Sequence, residues 1–243
     1  MAGYINLPTL AIDFMRPNRF AFDTPGGGIE GGRNGLGESI TIGFSGGPMV
    51  TASYEDCDLH YPEQHEYLNW VAARCNGSFR FVNVPLMTDW AGPFPLVNGV
   101  PTPIISGIPH SDGALFSDGS GYSQATAYGE VVEAASYGAG VIKLRMIGAA
   151  RALRHADWFS FKHPTKGWRA TRYWEVRDID NSQQNPVYTL AIEVPLRESI
   201  VVGERVEFAR PRCVMKFPAG FTLPWQAEGY WLSKPTLRFT EAF

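Results

Sequence analysis

Alternation with a period of two runs through residues 138–217 and, more than any other feature, limits what this chain can fold into. Apolar and polar side chains take turns in Val141-Ile142-Lys143-Leu144-Arg145-Met146 and in Arg205-Val206-Glu207-Phe208-Ala209-Arg210. Such a pattern marks a strand with one buried face. The spacing predicts strands over 140–147, 157–161, 172–176 and 187–194, with a last pair around Gly203. Turns fall at Gly148-Ala149 and in a loop holding Gly167. Five or six short strands at this spacing, joined by turn residues, predict a small closed or nearly closed antiparallel barrel.

The flanking sequence reads as a second β unit. Residues 5–22 alternate roughly, and Pro17, which cannot donate to a ladder, points to an edge strand. Residues 38–44 and 49–54 read as a hairpin turning at Ser45-Gly46-Gly47-Pro48. A single good helix follows: Pro62 at its first position, Glu63 and Glu66 in its first turn, and Leu68, Val71, Ala72 and Cys75 at helical spacing. Arg74 sits in its last turn and Gly77 just beyond. Residues 78–84 alternate as the next strand, which predicts a sandwich with a helix against one flank. Prolines 93, 95, 101, 103 and 109 then break regular structure, and Ser111-Asp112-Gly113 is echoed by Ser117-Asp118-Gly119. With a junction near 101–107, the division is a first domain of 1–103 and 211–243 and an inserted barrel of 104–210. The ending over 234–243 is expected to complete the first domain's sheet, because a lone terminal strand must pair somewhere. The expected fold class is therefore all-β with one flanking helix. Its 26 glycines, 18 prolines and 13% aromatic residues agree with strands joined by many turns.

Several function classes lose support at this level. A net charge of -3 and a pI near 6.0 leave no electrostatic footprint for sequence-specific nucleic-acid binding. Cys57, Cys75 and Cys213 are odd in number and widely spaced, so they form neither a disulfide framework nor a metal knuckle, and read as reduced thiols made in a cytosol. No apolar run of signal-peptide or membrane-spanning length occurs, so no membrane anchor is expected.

Each motif that suggests chemistry has a plainer reading. Gly43-Phe44-Ser45-Gly46-Gly47-Pro48-Met49-Val50 looks like the run around a trypsin-like nucleophile. No histidine precedes Ser45, however, and the residues after it read as strand, which favours a glycine hairpin turn. Gly26-x-Gly28-x-x-Gly31 formally matches a dinucleotide fingerprint but has no strand before it and no helix after it to hold a pyrophosphate. His60 and His65 do not share a helix face as metal ligands would, and the two Asp-Gly steps read as β-turns rather than calcium loops. His110, His155 and His163 are isolated and read as surface or satisfied histidines. No catalytic residue, cofactor or metal is expected. Of the seven tryptophans (70, 90, 158, 168, 174, 225 and 231), Trp158 and Trp174 read as core and Trp168 as the candidate exposed aromatic.

A family resemblance rests on Ala156-Asp157-Trp158-Phe159-Ser160, on Arg172-Tyr173-Trp174-Glu175-Val176, and on Pro195-Leu196-Arg197 followed by Gly203-Glu204-Arg205-Val206. Together these steps, over about a third of the chain, resemble the distal tail protein family of long-tailed bacteriophages. The resemblance implies a tail-tube-like β-sandwich with an inserted OB-like or galectin-like barrel. It implies a homo-oligomer, usually a ring of six copies, joining the tail tube protein to the tail-tip hub and the tape measure protein. The location implied is the virion tail, built from protein made in the host bacterial cytoplasm. Such a ring needs segments that pair between subunits. The glycine-dominated loop over 25–37, with Gly26, Gly31, Arg33 and Gly37, and the linker with Pro101 and Pro103 are the candidate subunit contacts. The loop has two readings, a floppy connection or a segment that orders against a neighbour. The competing class is a carbohydrate- or receptor-binding β module, and an enzyme comes third.

Overall fold

The computed structural model describes residues 3–43, 46–88, 92–155, 157–224 and 232–243, and strands dominate them. The chain begins with a helical turn α1 (Ile12–Met15), then β1 (Pro17–Asp23), β2 (Gly28–Arg33), β3 (Ser39–Gly43), β4 (Thr51–Cys57), helix α2 (Pro62–Cys75) and β5 (Val82–Pro85). Four short strands follow: β6 (Leu96–Val97), β7 (Val100–Pro101), β8 (Ile104–Ile108) and β9 (Tyr122–Ala125). Next come β10 (Tyr128–Val131), β11 (Val141–Ile147), β12 (Trp158–His163), β13 (Gly167–Asp180), β14 (Val187–Ile192) and β15 (Arg205–Glu207). The chain ends with β16 (Arg212–Lys216) and β17 (Leu237–Glu241). The fold is all-β with one full helix.

Six strands close into a barrel in the order β10-β11-β14-β13-β12-β15. Alternation sends Ile142, Leu144, Met146, Phe159, Phe161, Tyr173, Tyr188, Leu190 and Val206 into one core. β15 is only three residues long, yet it closes the ring by pairing Val206 with Gly129 on one side and Phe161 on the other. Gly129 is fitted to this closure, since a Cβ there would sit 3.1 Å from both Val206 and Phe208. Two sequence expectations change. The sixth strand is β10, upstream of the alternating stretch, and of the expected pair around Gly203 only the strand after it, β15, forms. Trp168 lies within β13, not in a loop, because β13 starts at Gly167 and runs fourteen residues.

The second unit is a five-stranded sheet ordered β1-β4-β17-β16-β5. Three of its strands precede the barrel segment and two follow it. The C-terminal strand β17 lies at the centre, between β4 and β16. Leu68, Val71 and Cys75 of α2 join Ala52, Tyr54, Met215, Leu237 and Phe239 in its core. Helix α2 starts at Pro62 as expected, and its Gln64 side chain accepts the backbone N–H groups of His60 and Tyr61. The helix ends at Asn76 in the left-handed region, followed by Gly77 at φ 65°. Strand β5 is shorter than the expected 78–84. The segment around Thr9 bridges β5 through Leu10 N–H to Asn83 O (2.8 Å) and Asn83 N–H to Pro8 O (2.9 Å). This leaves β1 as the open edge of the sheet.

The largest correction concerns residues 25–50. The sequence predicts a glycine loop over 25–37, either floppy or ordered against a neighbour, followed by a hairpin of 38–44 with 49–54. Instead β3 pairs with β2, and β4 pairs with β1 and β17. The glycine loop is thus half of a projecting hairpin. The expected turn residue and nucleophile candidate Ser45, with Phe44, lies outside the described residues, as do Trp90, Trp225 and Trp231.

Candidate assembly surface

Hairpin β2–β3 is held by its own backbone and little else. Ile29 faces Ile42 across the pair, and a bulge falls between Glu30 and Arg33. The bulge contains Gly31 and Gly32, the latter at φ 86°, a conformation that glycine adopts without strain. The tip is well specified. Asn34 Oδ1 accepts the N–H groups of Leu36 (3.0 Å) and Glu38 (2.9 Å), and its Nδ2 donates to the Glu38 carboxylate at 2.7 Å. Gly37 completes the turn at φ 83°. Every residue of both strands is exposed. Ile29 is 52%, Ile42 50% and Leu36 86% accessible, so an ordered hairpin holds an isoleucine face out to solvent. A lone two-stranded hairpin is marginal in water, and an exposed apolar face of this kind is a candidate contact surface.

The base of the hairpin, in contrast, is clamped. A Cβ on Gly27 would come within 2.8 Å of Gly47 C and Pro48 N, and one on Gly47 (φ 66°) within 2.5 Å of Pro195. Arg197, carried on the loop after β14, donates to the carbonyls of Gly46 and Pro48. The same guanidinium meets Glu241 of β17 through Nε–Oε1 and Nη2–Oε2, both at 3.1 Å. Arg169 of β13 meets Glu241 Oε1 at 3.1 Å and donates to Ala242 O at 2.7 Å. The Val50 N–H adds a further bond to Glu241 at 3.2 Å. None of these three side chains is more than 4% exposed. The Phe243 ring lies 4.6 Å from the Arg197 guanidinium. A single carboxylate therefore ties the barrel, the sheet and the hairpin base together.

Next to this junction lies His163, only 2% exposed and with neither ring nitrogen hydrogen-bonded. It stacks on Phe161, and burial pushes its pKa down to about 4, with Arg169 adding to that and Glu198 opposing it. The expectation of a surface or satisfied histidine is corrected here. Its parity with Phe159 and Phe161 turns it inward. A second charged junction joins Arg172 to Glu193 and, at 3.2 Å, to Asp23 of β1, while its guanidinium lies 5.3 Å from the Trp158 ring. Asp157, in the first of the resemblance motifs, has no accessible side-chain surface; it takes a bidentate pair from Arg151 and accepts the Arg154 N–H at 2.8 Å.

The sequence-derived candidates are spread across these features. Gly26 precedes the hairpin, Gly31 and Arg33 lie in β2, and Gly37 is at its tip. Pro101 belongs to the small β6–β7 hairpin and Pro103 to the connection before β8, so they lie in a different part of the chain's structure from the glycine hairpin. Trp168 is only partly buried, flanked by Lys162 and Arg212. Trp174, expected in the core, is 59% exposed. The two Asp-Gly steps form matching turns, with Asp112 Oδ1 accepting Ala114 N–H and Asp118 Oδ1 accepting Ser120 N–H. Among the described residues no group of three or more His, Cys, Asp or Glu is placed to hold a metal ion, and no helix is long and apolar enough to cross a membrane. The cysteines are free and buried, their thiols pushed up to about 12 (Cys57, Cys213) and about 11 (Cys75) by burial, which makes them poor nucleophiles.

Sequence reasoning missed the Arg169–Glu241–Arg197 junction, although part of it was readable. In Leu237-Arg238-Phe239-Thr240-Glu241 the buried positions are 237, 239 and 241, so a glutamate occupies a core-facing register. A buried carboxylate needs cationic partners. No family model matches this chain, and no curated protein does.

Proposed function

We propose that this protein is a structural subunit of a phage tail, a distal tail protein whose copies form a ring between the tail tube and the tip complex. One observation carries the reading: the hairpin β2–β3 is ordered at its tip, clamped at its base and buried nowhere along its length. A segment built in this way is completed by a neighbour. The open edge strand β1 lies beside it in sequence and offers backbone groups for the same purpose. A cyclic arrangement uses two unlike surfaces on each copy, here the projecting hairpin and a receiving face on the next subunit. The tail-tube protein, tail-tip hub and tape measure protein are its expected neighbours.

Mass by light scattering and negative-stain images of the purified chain test this directly. A closed ring with a central hole is the expected result. A monomer at all accessible concentrations would sink the reading and favour a monomeric binding module instead.

A further inference from the structure

A cavity of about 210 Å³ lies where the N-terminal segment crosses the outer wall of the barrel, with Asn6, Asn83, Lys162, Trp168 and Arg212 among its walls. Its chemistry is one-sided. Lys162 and Arg212 contribute two cations, and no Asp or Glu lines it. Among the described residues neither cation has an ion-pair partner, unlike the buried Arg169 and Arg197, which share Glu241. Instead the Trp168 indole positions both, with the Lys162 ammonium 6.0 Å and the Arg212 guanidinium 5.3 Å from its ring centre.

Four polar atoms of the lining residues are buried without partners: Arg212 Nε as a donor, Asn83 Oδ1 as an acceptor, and both ring nitrogens of His163. Asn83 is only 6% exposed, and its Nδ2 is already committed to Leu7 O at 2.8 Å, so the amide cannot turn to hide the oxygen. Buried polar groups are normally satisfied. An occupant must therefore accept from Arg212 and donate to Asn83. Two cations with no acidic residue beside them favour an occupant that carries negative charge. The volume is below the usual 300–1,000 Å³ range of drug-sized pockets, so the occupant is roughly monosaccharide-sized or smaller.

We propose that this cavity binds a small hydroxylated oxyanion, a carboxylated or phosphorylated sugar or polyol. Its anionic group faces Arg212 and Lys162, and a hydroxyl donates to Asn83 Oδ1. The proposal is independent of ring formation, because every wall comes from one chain.

Isothermal titration calorimetry of the full chain at low ionic strength, with glucuronate, glycerol 3-phosphate, glucose and sulfate, tests it. Saturable binding of glucuronate or glycerol 3-phosphate is expected, and which of the two binds tells a carboxylate source from a phosphate one. Glucose, lacking the charge, and sulfate, lacking the hydroxyl, should each bind about tenfold or more weakly. Arg212→Gln should weaken binding by about tenfold or more. Lys162→Gln, at an exposed position where folding is not at risk, should weaken it less but measurably. No heat with either acid, sulfate or glucose binding as tightly, or undiminished affinity in both variants, would each overturn the proposal.

Discussion

The barrel and the hairpin β2–β3 use the same element, the antiparallel strand pair, with opposite results. In the barrel every strand has two neighbours, alternate side chains meet in one core, and no edge is left. In the hairpin each strand has one neighbour, and its isoleucines face solvent. The barrel pairs every strand on both sides, and the hairpin leaves one side of each strand unpaired. What joins the two is polar: Arg197 reaches from the barrel to the hairpin base, with Glu241 between Arg197 and Arg169. Such a junction adds little net stability over an apolar one but tolerates loss of a single member badly, because the remaining charges are stranded.

That contrast can be tested at several points. Glu241→Gln should do the most damage, about 3–5 kcal/mol in urea unfolding, since Arg169 and Arg197 would lose their shared counter-charge in a buried site. A loss under about 1 kcal/mol would mean that barrel and hairpin are not held together through this carboxylate. Acid should act next. His163 has a pKa of about 4 in the fold against 6.5 unfolded, so the unfolded chain binds the proton first. Stability from keeping it neutral is complete above pH 6.5 and is lost as pH falls toward 4, up to about 3 kcal/mol in all. Glu198, held below its usual value with backbone bonds from Thr165 and Lys166, loses stability over a lower pH range. His163→Phe, keeping the stack on Phe161, should flatten the slope between pH 6.5 and 4 in chemical unfolding, and an unchanged slope would clear His163 of the effect.

Smaller effects follow at the hairpin base. Gly47→Ala places a Cβ against Pro195 in a left-handed backbone and should lower stability by about 1–3 kcal/mol, read from the unfolding midpoint. At the hairpin face, Ile29→Ser with Ile42→Ser should leave monomer stability within about 0.5 kcal/mol, because both are exposed. The same pair should abolish or weaken self-association in light scattering. If assembly survives unchanged, the hairpin is not the contact.

Much of this was legible beforehand. Period-two patterning found most of the barrel, and Pro62, Glu63, Arg74 and Gly77 bracketed the helix correctly. The hairpin was not legible, because glycine runs carry no side-chain period and β2 buries nothing. Its partner choice was misread for the same reason: 38–44 is followed by a turn-like stretch, yet β4 is drawn instead to a central place between β1 and β17. Glu241 was legible only in hindsight of its register, since its partners lie 44 and 72 residues away along the chain.

The tryptophans of the barrel show where sequence ends and tertiary structure begins. Alternation reads Trp158 and Trp174 as core, but strand register puts Trp158, Trp168 and Trp174 all on the barrel's outer wall: Trp158 pairs with Arg172, Trp168 with exposed Lys162, and Trp174 is two residues beyond Arg172. What covers each one was decided only by packing. Trp158 is sealed by the sheet and Phe22, Trp168 is half covered by Arg212, and Trp174 is left open. The physical reason is that a strand's periodicity sets which way a side chain points, whereas burial depends on a second surface supplied by residues far away in the chain.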